Sequence, residues 1–240
     1  MRRLVVLLAI ISVLTASCTT TTITGSSLRS LNDAVMAGDT EQVKRIIEGG
    51  ADLEHRGEMD ATPLITAASE GHADIVRLLV EGDADLNATT DMGFTAMHAS
   101  SIYGHTEIVS FLLECGLDVD VRSEQNVTPL HVAAWTGQID VVRLLLLSEA
   151  EADARNDWGI TPFFEAAGEG YLLIMELLLK EGVDVNVSNI WGQSALHEAV
   201  IGDHLKVVRL LIKEGVDLNM SNEEDITPLI YASLTGNKEI

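Results

Sequence analysis

Apolar residues recur along this chain in paired short segments, and the pairs return at a constant interval. Ile75-Val76 with Leu78-Leu79, Val141-Val142 with Leu144-Leu145, and Val207-Val208 with Leu210-Leu211 set apolar side chains three and four apart. That spacing predicts a helix with one buried face. Ahead of each run lies a shorter segment whose Ala67-Ala68, Ala133-Ala134 and Ala166-Ala167 pairs predict a second helix approached closely by its neighbours. These segments open at Thr62, Thr95, Thr128, Thr161, Ser194 and Thr227, each 33 positions after the one before. A hydroxyl there can accept from a free backbone N–H of the first turn, and proline follows in four of the six cases. Proline suits that place because its missing donor has no intrahelical role. Gly71, Gly104, Gly137, Gly170 and Gly236 then end the short helix in a left-handed conformation.

Two residues ahead of the capping hydroxyls stand Asp60, Gly93, Asn126, Gly159, Gly192 and Asp225, residue types that tolerate positive φ in a tight turn. The same register runs back to Arg29, where the capping hydroxyl is missing but Gly38, Val43, Ile46, Ile47 and Gly50 are kept. Polar residues on the outer side of that segment predict an N-terminal cap-like repeat. At the other end Asn237-Lys238-Glu239-Ile240 falls where the second helix of the last repeat should begin. A terminal repeat cannot bury its own face, so the expectation is either fraying after about Asp225 or a longer parent chain.

The segments TPLI, TAMH, TPLH, TPFF, SALH and TPLI, with the glycine-histidine, Val-Val, Leu-Leu and Gly-Ala-Asp-type elements that follow them, resemble the ankyrin repeat family over roughly residues 29–240. Departures are local: Asp203 replaces a glycine, Asp83 and Glu149 take a later glycine position, and Ser194-Ala195 lacks the proline. The resemblance implies an all-α ankyrin repeat solenoid of stacked helix-turn-helix units with projecting β-turn fingers. It would hold a cap-like repeat, five full repeats and an incomplete last one. It also implies a structural hydrogen-bonding role for His98, His131 and His197. Asn87, Asn186 and Asn219 match the family's asparagine at the repeat end and read as turn residues satisfying local backbone groups.

The N-terminus has its own order: Arg2 and Arg3, an apolar run from Leu4 to Leu14, then Thr15-Ala16-Ser17-Cys18. The run is too short to span a bilayer and predicts a secretory signal over residues 1–17. Its end resembles a bacterial lipoprotein signal, with Cys18 lipidated, although Thr15 stands where leucine is usual. Residues 18–28 then form the lipidated cysteine and a flexible tether. The expected location is the bacterial cell envelope, facing the periplasm, with membrane attachment only through the lipid. A plain signal peptide and a secreted or soluble periplasmic product is the alternative. With Cys18 acylated only Cys115 remains, so the fold must hold without an internal disulfide.

The formal charge of −22 would repel nucleic acid and anionic lipid, and it either merely keeps a repeat protein soluble and monomeric or serves to attract a basic protein partner. Convergent chemistry is not evident. His197-Glu198 begins like a zinc-protease HExxH helix, but Ile201 stands where the second histidine must be. There is no glycine-rich phosphate loop, and two cysteines cannot supply paired CxxC motifs. The pairs Asp52 with Glu54, Asp118 with Asp120, and Glu151 with Asp153 recur with the repeat and predict turns rather than a glycosidase pair. No catalytic residue, metal site or cofactor is expected, and the chain reads as a non-enzyme.

The resemblance implies that finger tips and the exposed side of the first helix line a concave face. Binding energy at interfaces concentrates in aromatic and long apolar anchors. Met92, Phe94, Tyr103, Trp135, Trp158 and Trp191 are the candidates, flanked by Asp91, Glu124 and Asp157. The expected function is an envelope-anchored adaptor or inhibitor that binds a basic partner. The alternatives are a structural scaffold of an envelope complex, or the binding part of a longer enzyme.

Overall fold

The computed structural model describes residues 30–236, so the signal, Cys18 and tether lie outside the described residues. Thirteen α-helices are described: α1 Leu31–Met36, α2 Thr40–Glu48, α3 Pro63–Glu70, α4 Ala73–Glu81, α5 Ala96–Tyr103, α6 Thr106–Glu114, α7 Pro129–Thr136, α8 Ile139–Leu147, α9 Pro162–Glu169, α10 Leu172–Lys180, α11 Ala195–Ile201, α12 Leu205–Lys213 and α13 Pro228–Thr235. Among the described residues the only β pairing outside turns is an isolated bridge between Ser188 and Ser194. The described residues divide into two compact units, the first ending at Ala99 and the second beginning at Ser100.

In the first unit the inner helices α1 and α3 pack together, the outer helices α2 and α4 pack together, and each inner helix packs on its own outer partner. Ala34, Val35, Leu64, Ala67, Ala68, Ile75, Val76 and Leu79 fill the space between them. Small alanines let the inner helices approach closely, while branched residues of the outer helices close the layer. The N-terminal repeat corrects one sequence expectation. Ser30, one place beyond the repeat register, caps α1 by accepting from the Asp33 N–H at 3.2 Å, and the Asp33 carboxylate accepts from the Ser30 N–H. A reciprocal capping box thus does the work of the missing threonine.

The second unit repeats this arrangement. Inner helices α7, α9, α11 and α13 form one row and outer helices α6, α8, α10 and α12 another. Thr128, Thr161 and Thr227 each accept from the N–H three residues on. Gly137, Gly170 and Gly236 end their helices with φ near 80° or 70°, the left-handed caps expected from sequence. Where Asp203 replaces glycine, α11 stops at Gly202 and the aspartate itself takes φ 59°. The last inner helix, α13, is formed rather than frayed, but its Leu229, Ile230 and Leu234 side chains are exposed. Across the described residues no helix is long and apolar enough to cross a membrane.

Candidate partner-binding surface

From Thr90 onward each finger is held open at its base by one polar side chain, half-buried at Thr90 and buried at Ser123, Asn156, Asn189 and Asn222. Asn156 Oδ1 accepts from the N–H groups of Trp158 and Ile160, both at 3.0 Å. Asn189 does the same for Trp191 and Gln193, and Asn222 for Glu224 and Ile226. Ser123 Oγ serves Gln125 and Val127, and in the first unit Thr90 serves Met92 and Phe94. These residues recur every 33 positions, so the signal was available in the sequence, although the sequence expectation does not single them out. The geometry satisfies turn donors that would otherwise face a crowded repeat junction.

The tips are then joined by backbone hydrogen bonds. In the second unit the Asp157 N–H donates to the Gln125 carbonyl at 3.1 Å, Ile190 to Trp158 at 2.9 Å, and Glu223 to Trp191 at 3.0 Å. In the first unit Asp91 donates to Met59 at 3.5 Å. Trp158 and Trp191 therefore occupy equivalent places on consecutive tips. Both are half-buried, as are Trp135 in the last turn of α7, Tyr103 at the end of α5 and Met92 on the first unit's finger. Tyr103 stacks loosely on His105, with ring centres 6.2 Å apart. Asp91, Glu124 and Asp157 are exposed, and Asp157 accepts from the Asn126 side-chain amide at 2.6 Å.

Phe94 departs from the sequence expectation. It is 4% exposed and stacks on the His98 ring at 5.1 Å, so it is a core residue of its repeat and not part of a binding stripe. Phe94 directly precedes its capping threonine, a position at which Ala61 and Val127 are buried too, whereas Trp158 and Trp191 stand two places earlier in the repeat register. Conversely, Ile201 and Leu234 share the 33-residue register of Trp135 and are exposed, as is Ile190 beside Trp191. The inner-helix register continues past Trp135, and counting forward from it would have found both residues.

The histidines and acids of the repeat act structurally. His131 Nδ1 accepts from the Thr128 N–H at 3.2 Å while its Nε2 lies 3.0 Å from the Ile160 carbonyl of the next repeat. His197 makes the same pair of contacts with Ser194 and Ile226, each at 3.0 Å. Burial holds its imidazole below the usual range, with the Ile226 carbonyl pulling the other way. Asp52, Asp85, Asp118, Asp184 and Asp217 each accept from the N–H two residues on, as turn formers do. Asn186 is not local, however: its Oδ1 accepts from the Asp217 N–H, 31 residues away, at 2.8 Å. Glu54, Asp120 and Asp153 occupy the same register and accept in the same way from the N–H groups of Asp85, Glu151 and Asp184 in the next repeat. No group of three or more His, Cys, Asp or Glu side chains is placed to hold a metal ion among the described residues.

These paired helices, left-handed caps and stitched fingers describe a protein of the ankyrin class. A family model for ankyrin repeats in three copies matches residues 31–123, 84–156, 115–189 and 163–240, and the chain belongs to the ankyrin repeat family. The chain is also similar to protein phosphatase 1 regulatory subunit 27 of Homo sapiens and of Mus musculus. It is 43% identical to each over 51 residues, which is 21% of this chain and 33% of the relative. The chain thus spans about a third of the length of the curated relatives it matches. Repeats of this family serve as protein–protein interaction modules.

Proposed function

We propose that this chain is a non-catalytic, envelope-anchored ankyrin adaptor or inhibitor that captures a basic protein through its fingertips and inner-helix ends. The observation that carries this reading is the set Trp135, Trp158, Trp191 and Ile190, apolar side chains left accessible on projecting elements of an acidic chain. Interfaces are anchored by such residues, and opposite charge around them raises the encounter rate. The leader sequence ending at Cys18 supports delivery to the envelope with the repeats facing the periplasm. The membrane role is confined to the lipid, the repeats act as a monomer, and nucleic acid is not a partner for a chain of charge −22.

Affinity capture from envelope extract tests the reading, with the full chain set beside a Trp135→Ala/Trp158→Ala/Trp191→Ala variant of equal helicity. A basic protein retained by the first and lost by the second is the expected result. Equal retention by both would remove the tryptophans from binding. Cell fractionation of Cys18→Ser tests the anchor: the protein should leave the membrane fraction, and persistence there would refute lipidation at this cysteine.

A further inference from the structure

The fingertip row of the second unit is not uniform. Its successive tips read Glu124-Gln125, Asp157-Trp158, Ile190-Trp191 and Glu223-Glu224, so three apolar side chains stand between carboxylates on both sides. The three backbone bonds that join these tips, from Asp157, Ile190 and Glu223 to the preceding finger, fix their order as one continuous row. Ile190 is 54% exposed, which gains nothing for the array itself. Glu124, Asp157, Glu223 and Glu224 are exposed as well.

We infer that this row recognises a short linear segment of the partner in which two apolar side chains are flanked on both sides by Lys or Arg. The inference rests on the protein-binding reading above and narrows it to one ligand pattern. Packed helices stand roughly 8–10 Å apart, so successive fingertips recur at about that distance. An extended chain advances about 3.3 Å per residue, so every third residue of the ligand meets a new tip. The pattern is therefore cation, two spacers, apolar, two spacers, apolar, two spacers, cation. The apolar pair covers Trp158, Ile190 and Trp191, while the cations reach the carboxylates of the outer two tips. The centre supplies affinity, and the charged ends set register and encounter rate.

The test titrates the full chain with the synthetic peptide Lys-Ser-Ser-Phe-Ser-Ser-Phe-Ser-Ser-Lys, following tryptophan fluorescence at low and moderate salt. Saturable binding that weakens with salt is expected. Ile190→Asp should lower affinity by about tenfold, and because this side chain is exposed the fold is kept even where a tryptophan variant loses it. Glu223→Lys/Glu224→Lys should weaken binding and flatten the salt dependence, and a peptide with both lysines changed to glutamate should not bind. Absence of saturable binding, or binding indifferent to Ile190→Asp, overturns the inference. If a partner is still captured in a Trp135-dependent manner while the peptide fails, the ligand pattern falls and the binding function stands. If the peptide binds as described while no partner depends on the tryptophans, the pattern stands and the wider reading falls.

Discussion

His204 reaches back across one repeat to cover Gly170. Its Nε2 lies 3.0 Å from the Gly168 carbonyl, and a methyl group on Gly170 would stand 2.6 Å from Nδ1. Gly170 also holds φ at +81°, so two separate constraints act on one residue. Gly182 has nearly the same φ, +80°, with open space around it. Gly182→Ala should therefore cost only the left-handed penalty, about 1–2 kcal/mol. Gly170→Ala should cost more, and adding His204→Ala should recover part of the difference. Urea unfolding of the single and double variants measures this, and equal costs for the two glycines would show that the imidazole yields freely.

The His197 contacts predict a stability that depends on pH. Its Nδ1 accepts from the Ser194 N–H, so the neutral ring with the proton on Nε2 is the form that fits, and burial favours that form further. A depressed folded value means the unfolded chain takes up the proton first. The contribution is complete above about pH 6.5 and is lost as pH falls below it toward the folded value. Thermal unfolding at pH 7.5 and 5.5 should show a loss in the native chain that is smaller in His197→Gln. A pH response identical in the two proteins would assign the effect elsewhere.

Much of this architecture was legible in the sequence because each repeat is one supersecondary unit whose caps, turns and apolar faces return at fixed spacing. The capping threonines and the glycine caps follow directly from that register, and the histidines between repeats follow from the family resemblance that the register carries. What was not legible depends on three-dimensional neighbours. Phe94 and Trp158 both look like finger aromatics, yet one stacks on His98 in the core and the other stays half-exposed. Asn186 reads as a turn residue, but its partner lies in the next repeat. Ser30 replaces the missing cap one residue out of register, a shift that a strict periodic count passes over.

Asp120 carries charge where an amide would do. Burial raises its carboxyl above the usual range, the Glu151 N–H works against that, and the neighbouring Asp118 adds to the rise. A raised folded value means that ionisation is penalised in the fold, so this site's contribution is best at low pH and is lost as pH rises through the folded value. Asn186 shows that an amide oxygen can accept the same inter-repeat bond. Asp120→Asn should therefore stabilise the chain near neutral pH, by roughly 0.2–1 kcal/mol because the site is partly solvated and screened. The gain should shrink in high salt. A loss of stability at pH 7 would mean that the Arg122 attraction outweighs both burial and repulsion.

Leu196 and Leu229 are one repeat apart in the same position, yet their exposures are 3% and 70%. Leu196 lies on α11, which packs against α9, α12 and α13, whereas α13 packs against α11. Removing the Leu196 side chain leaves a cavity in a dense interior, so Leu196→Ala should cost about 2–5 kcal/mol. Leu229→Ala deletes atoms that already touch water and should change stability by no more than about 0.5 kcal/mol. Denaturant titration at two protein concentrations separates the cases, since repeat arrays can unfold in parts and both transitions must be followed. A Leu229 cost close to that of Leu196 would mean that this face is covered in solution. Dependence of that cost on protein concentration would identify the cover as a second copy of the chain.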